Sequence, residues 1–232
     1  MTRITSTGQC ALCGEAFSKQ AMTRHLTKCL AEHTSKKGKP HKTFRLLVEG
    51  HGLPEYWLHL EMPAEATLMT LDAFLRRIWL ECCGHLSAFT IENVSYELDT
   101  GGIDGMWTEI FGRGEPPRSM KVRLDSVLRP GLKFYHEYDF GTTTELALKV
   151  VAEQESLFKG RSVRMLARNA PPPIPCAKCG QPATEVCVEC MYSEKGWLCE
   201  AHAEKHRHQD MFLPVVNSPR VGMCGYTGPF ED

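Results

Sequence analysis

Five cysteines and three histidines at short intervals fill "CAKCGQPATEVCVECMYSEKGWLCEAHAEKHRH", from Cys176 to His208. A CxxC pair sets two thiolates about one turn apart, the separation of adjacent corners in a tetrahedral zinc site. The ligand pairs are Cys176 with Cys179, Cys187 with Cys190, Cys199 with His202, and a last pair drawn from His206, His208 and Cys224. Eight ligands suffice for two ions. Pairs this dense close more easily when interleaved. The expectation is Cys176, Cys179, Cys199 and His202 on one ion, and Cys187, Cys190, His208 and Cys224 on the other. His206 competes with His208, and a single-ion module using the first six ligands is the alternative. Closed cysteine-rich sites leave no position for a reactive water, so these read as structural.

A second constellation lies near the start. Cys10, Cys13, His25 and Cys29 have the spacing Cys-x2-Cys-x11-His-x3-Cys, that of a knuckle carrying two thiolates followed by a helix presenting two ligands one turn apart. Phe17, Met22 and Leu26 supply a small core, and so short a polar segment needs its metal in order to fold. The expected cofactor is therefore zinc, about three ions per chain.

Charge suggests a partner for the finger. Residues 1–45 carry nine Lys or Arg against two acids, whereas 46–170 carry 13 against 18 and 171–232 carry five against eight. A basic arm on an acidic body suits a polyanion. A helix starting near Lys19 turns Ser18, Gln20, Ala21 and Arg24 outward, and of these Arg24 is the natural base-edge reader. Lys19, Lys28, Lys36, Lys37, Lys39 and Lys42 add phosphate contacts without sequence information. A protein-binding or purely structural finger is the competing reading.

The elements that must position these ligands divide at two linkers, the basic "HTSKKGKPHK" and the proline-rich "NAPPPIP". The expected organisation is a Cys-Cys-His-Cys finger over 1–33, a basic linker over 34–42, an α+β domain over 43–168, a proline-rich linker over 169–175 and a two-zinc cross-braced module over 176–232. "FRLLVEG", "YWLHLEM", "HLSAFTI", "VSYEL", "LKFYHEYDF" and "TTTELALKVVAEQ" read as strands. "TLMTLDAFLRRIWLECC" reads as an amphipathic helix, with Leu71, Phe74, Leu75, Ile78 and Trp79 on its apolar face and Thr70 as N-cap. Successive strands with short turns predict a mostly antiparallel sheet with one main packed helix, an α+β fold.

The stretches "YWLHLEMPAEATLMTLDAFLRRIWLECCGHLSAFTI" (Tyr56 to Ile91) and "YHEYDFGTTTELALKVV" (Tyr135 to Val151) resemble the plasmid pRiA-four-b ORF-three-like family, also met as a TnpR-like passenger domain of insertion elements. The likeness covers most of 43–165. The ending "LPVVNSPRVGMCGYTG" (Leu213 to Gly228) is similar to that of family members and favours Cys224 as a ligand. Where the family usually has "YDFGD.WEH", this chain has "YDFGTTTEL", losing an acid, a Trp and a His. The resemblance implies mobile-element or plasmid ancestry and names a fold without a reaction. The tail is similar to B-box modules in pair spacing, which implies a protein partner or self-association.

Catalytic constellations are sparse. Alternation along "YHEYDF" sets Glu137 and Asp139 on one strand face, a pair suited to acid–base chemistry or a nuclease, and more commonly a solvated surface. His85 could pair with Cys82 or Cys83 as a nucleophile. There is no phosphate-binding glycine loop and no nucleophile elbow. The catalytic set is expected to be empty and the chain non-enzymatic. With no signal-like start and no spanning apolar run, the expectation is a cytoplasmic protein without a membrane partner, in whose reducing surroundings the cysteines are read as metal ligands and not as disulfides.

Overall fold

The computed structural model describes residues 6–33, 40–98, 116–157, 162–193 and 195–229. Lys36, Lys37 and Lys39 of the basic linker lie outside them. A ten-stranded sheet dominates the chain. In chain order its strands are β1 (Thr7–Cys10), β2 (Ala16–Ser18), β3 (His41–Gly50), β4 (Leu53–Pro63), β5 (Ser87–Ile91), β6 (Val94–Glu97), β7 (Arg118–Ser119), β8 (Lys133–Tyr138), β9 (Thr144–Ser156) and β10 (Arg164–Asn169). Their spatial order is β2-β1-β10-β4-β3-β9-β8-β5-β6-β7. Every pairing is antiparallel except β6 with β7. The predicted α+β class, mostly antiparallel with one main helix packed on the sheet, is the observed one.

Strand alternation assigns the two faces different covers. Phe44, Leu46 and Val48 of β3, with Leu58, Leu60 and Met62 of β4, face the main core. Helix α2 (Leu68–Leu75) lays Leu68, Leu71 and Leu75 on that core, and a π-helical turn, Arg76–Leu80, adds Trp79 and Leu80. The cap is Thr67 rather than Thr70, because the Thr67 hydroxyl accepts from the Thr70 N–H at 3.2 Å. On the opposite face, helix α1 (Lys19–His33) packs Met22, Leu26, Cys29 and Leu30 against Trp57, Leu166 and Ala167. Beneath it that face is partly polar. The Thr23 hydroxyl lies 3.3 Å from His59 Nε2, and Arg45 donates to Thr27 Oγ1 at 3.0 Å.

The amino-terminal segment therefore does not hang from the body as a satellite. Strand β1 pairs with β10, Gly8 opposite Asn169 and Cys10 opposite Ala167, so the knuckle continues the sheet. Gly8 is required there: a Cβ would sit 2.3 Å from the Arg168 carbonyl and 2.4 Å from the Trp57 ring.

The carboxy-terminal segment holds a small sheet in which β11 (Glu185–Cys187) lies between β12 (Trp197–Leu198) and β13 (Phe212–Pro214). It too returns to the body. Val186 and Val221 join the main core, and Met191, Trp197, Leu213, Val215 and Val216 pack on it. Asn169 and Asn217 exchange hydrogen bonds at 2.7 and 2.9 Å, and the Ser218 hydroxyl donates to the Trp79 carbonyl at 2.6 Å. The prolines after β10 thus connect two parts of one packed unit, not a body and an independent module. No helix among the described residues is long and apolar enough to cross a membrane.

Candidate metal centres

Four groups of Cys and His among the described residues could hold a metal ion, each with its four ligand atoms within 4.8 Å of one another. Bonds of about 2.3 Å to sulfur and 2.0 Å to nitrogen, set tetrahedrally, separate the ligands by roughly 3.3 to 3.8 Å. A disulfide would need about 2.05 Å. All cysteines are free, so the spacings can be compared with the first of these figures.

The first group is Cys10, Cys13, His25 and Cys29. Cys10 ends β1, Cys13 sits in the turn before β2, and α1 carries His25 and Cys29 one turn apart. Cys10 Sγ is 3.8 Å from Cys29 Sγ, and Cys13 Sγ is 3.3 Å from His25 Nε2. Phe17 stacks on the His25 ring at 4.2 Å and fixes its plane. Burial pushes the Cys29 thiol up to about 12, and the neighbouring Cys10 and Cys13 sulfurs add to the shift. A divalent cation removes that like-charge penalty, so the donor set fits a metal better than it fits three thiols.

The second group is Cys176, Cys179, Cys199 and His202. Cys199 Sγ lies 3.8 Å from Cys179 Sγ and 3.2 Å from His202 Nδ1, which is 3.6 Å from Cys176 Sγ. Burial raises the Cys176 thiol, yet backbone hydrogen bonds at Cys199, Lys178 and Cys179 outweigh it and bring it down to about 6. The loop is built for a thiolate there. Cys199 caps the one-turn helix Glu200–Ala203, which turns His202 back toward the knuckle.

The third group corrects the expected ligand set. Cys187 and Cys190 meet His206 and His208, not His208 and Cys224. His208 Nδ1 is 3.5 Å from each sulfur. His206 Nε2 is buried without a hydrogen-bond partner, as befits a nitrogen reserved for a metal. Single-residue spacing leaves both imidazoles free to converge, their rings 5.2 Å apart and nearly perpendicular. The pairs do interleave, with the first CxxC joined to Cys199 and His202 and the second to the later histidines.

Cys224 belongs to a fourth group with Cys82, Cys83 and His85. Neither composition nor spacing pointed to it, because 139 residues separate His85 from Cys224.

The other predicted residues divide. Arg24 and Lys28 lie exposed on α1, together with Gln20. Lys19 is engaged by Glu49 and by the Pro54 carbonyl at 3.2 Å, and Lys42 pairs with Glu153 at 3.0 Å. Strand β8 ends at Tyr138, and Asp139 takes the left-handed conformation, φ 67°, so Glu137 and Asp139 do not share a strand face. Asp139 accepts from Arg220 at 2.7 Å and from the Gly141 and Thr142 N–H groups. Burial raises its carboxyl, but these donors prevail and hold it below the usual carboxylate range. It is an ion-pair partner, not an open acid or base.

No family model matches the chain, and no curated protein matches it. Among solved structures the chain is similar to a protein of unknown function, MM3350 from Methanosarcina mazei Go1. Identity is 18%, over 57% of this chain and 72% of that one, with a TM-score of 0.47.

Proposed function

We propose that this chain is a non-catalytic, zinc-structured binding protein that contacts nucleic acid through α1 and the basic stretch that follows it. The observation that carries the metal part is the closure of the first three groups, each with four sulfur and nitrogen donors and no place for a substrate or reactive water. Soft thiolates with imidazole favour zinc over harder cations, and about three ions per chain follow from three closed groups. Free thiols in such number suit a reducing compartment such as the cytoplasm.

The nucleic-acid part rests on Arg24 and Lys28, one turn apart on the exposed side of α1, and on the lysines that come after them in the chain. Such contacts give affinity through counterion release. A mobile-element ancestry, which the resemblance of most of 43–165 to the plasmid family implies, is in keeping with such a partner. A second reading, a protein-interaction adaptor without nucleic-acid contact, is favoured by the engagement of Lys19 and Lys42 with acids of the body.

Anisotropy of a labelled DNA duplex, titrated with the full chain at several salt concentrations, separates the two. Nucleic-acid contact is expected to give an affinity that falls steeply with salt, with a slope about one charge shallower for each of Arg24→Ala and Lys28→Ala. Absence of salt-dependent binding overturns it and leaves the adaptor.

A further inference from the structure

The fourth Cys/His group is assembled by the fold alone. We propose that Cys82, Cys83, His85 and Cys224 hold a further thiophilic divalent cation, of zinc's class, that clamps the segment after β13 to the end of α2. Cys83 Sγ is 3.0 Å from His85 Nε2 and 3.8 Å from Cys224 Sγ, Cys82 Sγ is 3.4 Å from Cys83 Sγ, and His85 Nε2 is 3.2 Å from Cys224 Sγ. These are the edges of a tetrahedron slightly smaller than that of zinc with sulfur and nitrogen. A lone Cys83–His85 nucleophilic pair would have no use for two more thiols within the same 4.8 Å.

The backbone is shaped to this convergence from both sides. Cys82 and Cys83 follow the π-helical turn, and Gly84, at φ 79°, reverses the chain so that His85 faces back toward Cys83. Tyr138 and Glu81 knit this loop: the tyrosine hydroxyl donates to Glu81 Oε1 at 2.9 Å and accepts from the Cys82 and His85 N–H groups at 3.4 and 3.3 Å. Gly84 N–H donates to the same carboxylate oxygen at 2.6 Å. From the other side Cys224 is held at φ 45°, a left-handed conformation that a non-glycine residue keeps only where its surroundings demand it.

The surrounding shell also suits a thiolate-rich ion. Arg220, fully buried, donates to Cys82 Sγ at 3.4 Å and to Asp139 Oδ2 at 2.7 Å. A cation donating to a coordinating sulfur offsets the excess negative charge of three thiolates on one divalent ion. Asp139 Oδ2 lies 3.4 Å from His85 Nε2, the nitrogen that faces the ion, and so sets a further anionic oxygen at the edge of the site. Cys83 and Cys224 are both exposed, whereas the first and second groups have one exposed cysteine each and the third none, so this group is the most open of the four to a chelator.

The inference is independent of the nucleic-acid reading and is tested on the full chain. Plasma mass spectrometry should find about four zinc ions in the parent and about three in a Cys83→Ser/Cys224→Ser double variant with unchanged circular dichroism. About three in both overturns the clamp and leaves the three-ion reading standing. A parent 2 Da light by intact mass, with Cys83 in a disulfide, overturns it as well. Should the double variant not fold, alkylation of the metal-loaded parent decides. Cys83 and Cys224 are expected to resist N-ethylmaleimide until a competing chelator is added and then to react before the other thiols. Immediate reaction at full metal loading overturns the proposal.

Discussion

At the scale of single residues, the finger face of the sheet carries a histidine kept neutral by its surroundings. His59 is fully buried, and desolvation, followed by the Arg45 charge, brings its pKa from 6.5 to about 3. The unfolded chain takes up a proton below about pH 6.5, whereas the folded chain refuses it until about pH 3. The stability His59 contributes is thus complete above 6.5 and is lost as pH falls, by up to about 1.4 kcal/mol per unit. Urea midpoints between pH 7 and 5.5, at constant metal loading, should show a shallower acid slope for His59→Gln than for the parent. Equal slopes would remove His59 from the account. Arg220 is the second such residue, because Arg220→Met leaves Asp139 buried without its cation. The expected loss is about 3 kcal/mol in chemical denaturation, against little change for a surface arginine such as Arg118.

The elements explain why some ligands could be read in the sequence and others not. CxxC and His-x3-Cys spacings are local, dictated by a knuckle and a helical turn, so the first group and the Cys176 group were visible as strings of letters. The strands and the main helix were visible for the same reason, since period and turn residues are local signals. The cap fell at Thr67 because its side chain reached the Thr70 N–H first. The third group was misread because two histidines one residue apart look like competitors in a sequence, whereas an irregular loop aims both inward. Nothing local could bring Cys224 to His85. Docking of the finger was equally hidden, since the signal is only a glycine in β1. Gly8→Ala should therefore cost several degrees of melting temperature and raise the solvent exposure of Trp57, read as a red-shifted emission, while the ion on Cys10, Cys13, His25 and Cys29 stays bound. Loss of that ion instead would mean that knuckle and sheet form together.

At the scale of the molecule, the two linkers left open whether the parts they join are independent, and the structure gives body and tail a shared interior. Val186 and Val221 of the tail lie in the same core as Leu46 and Leu71 of the body. Residues in one core unfold together. Calorimetry of the metal-loaded chain should accordingly give one transition, and stoichiometric removal of metal should shift the whole of it downward. Two separate transitions, only one of them sensitive to chelator, would restore the modular picture.

The position of the knuckle has a further consequence. The three-residue strand β2 ends one side of the sheet, and β1 stands between it and β10. The first Cys/His group ties both to α1, alongside the β1–β10 pairing and the packing of α1 on Trp57, Leu166 and Ala167. Without that ion they are expected to peel away and leave the N–H and C=O groups of Arg164–Asn169 facing solvent, a template on which another chain can add a strand. Metal depletion would then announce itself as turbidity before it registers as unfolding, and the finger would owe its place in this protein as much to guarding against aggregation as to any partner it touches.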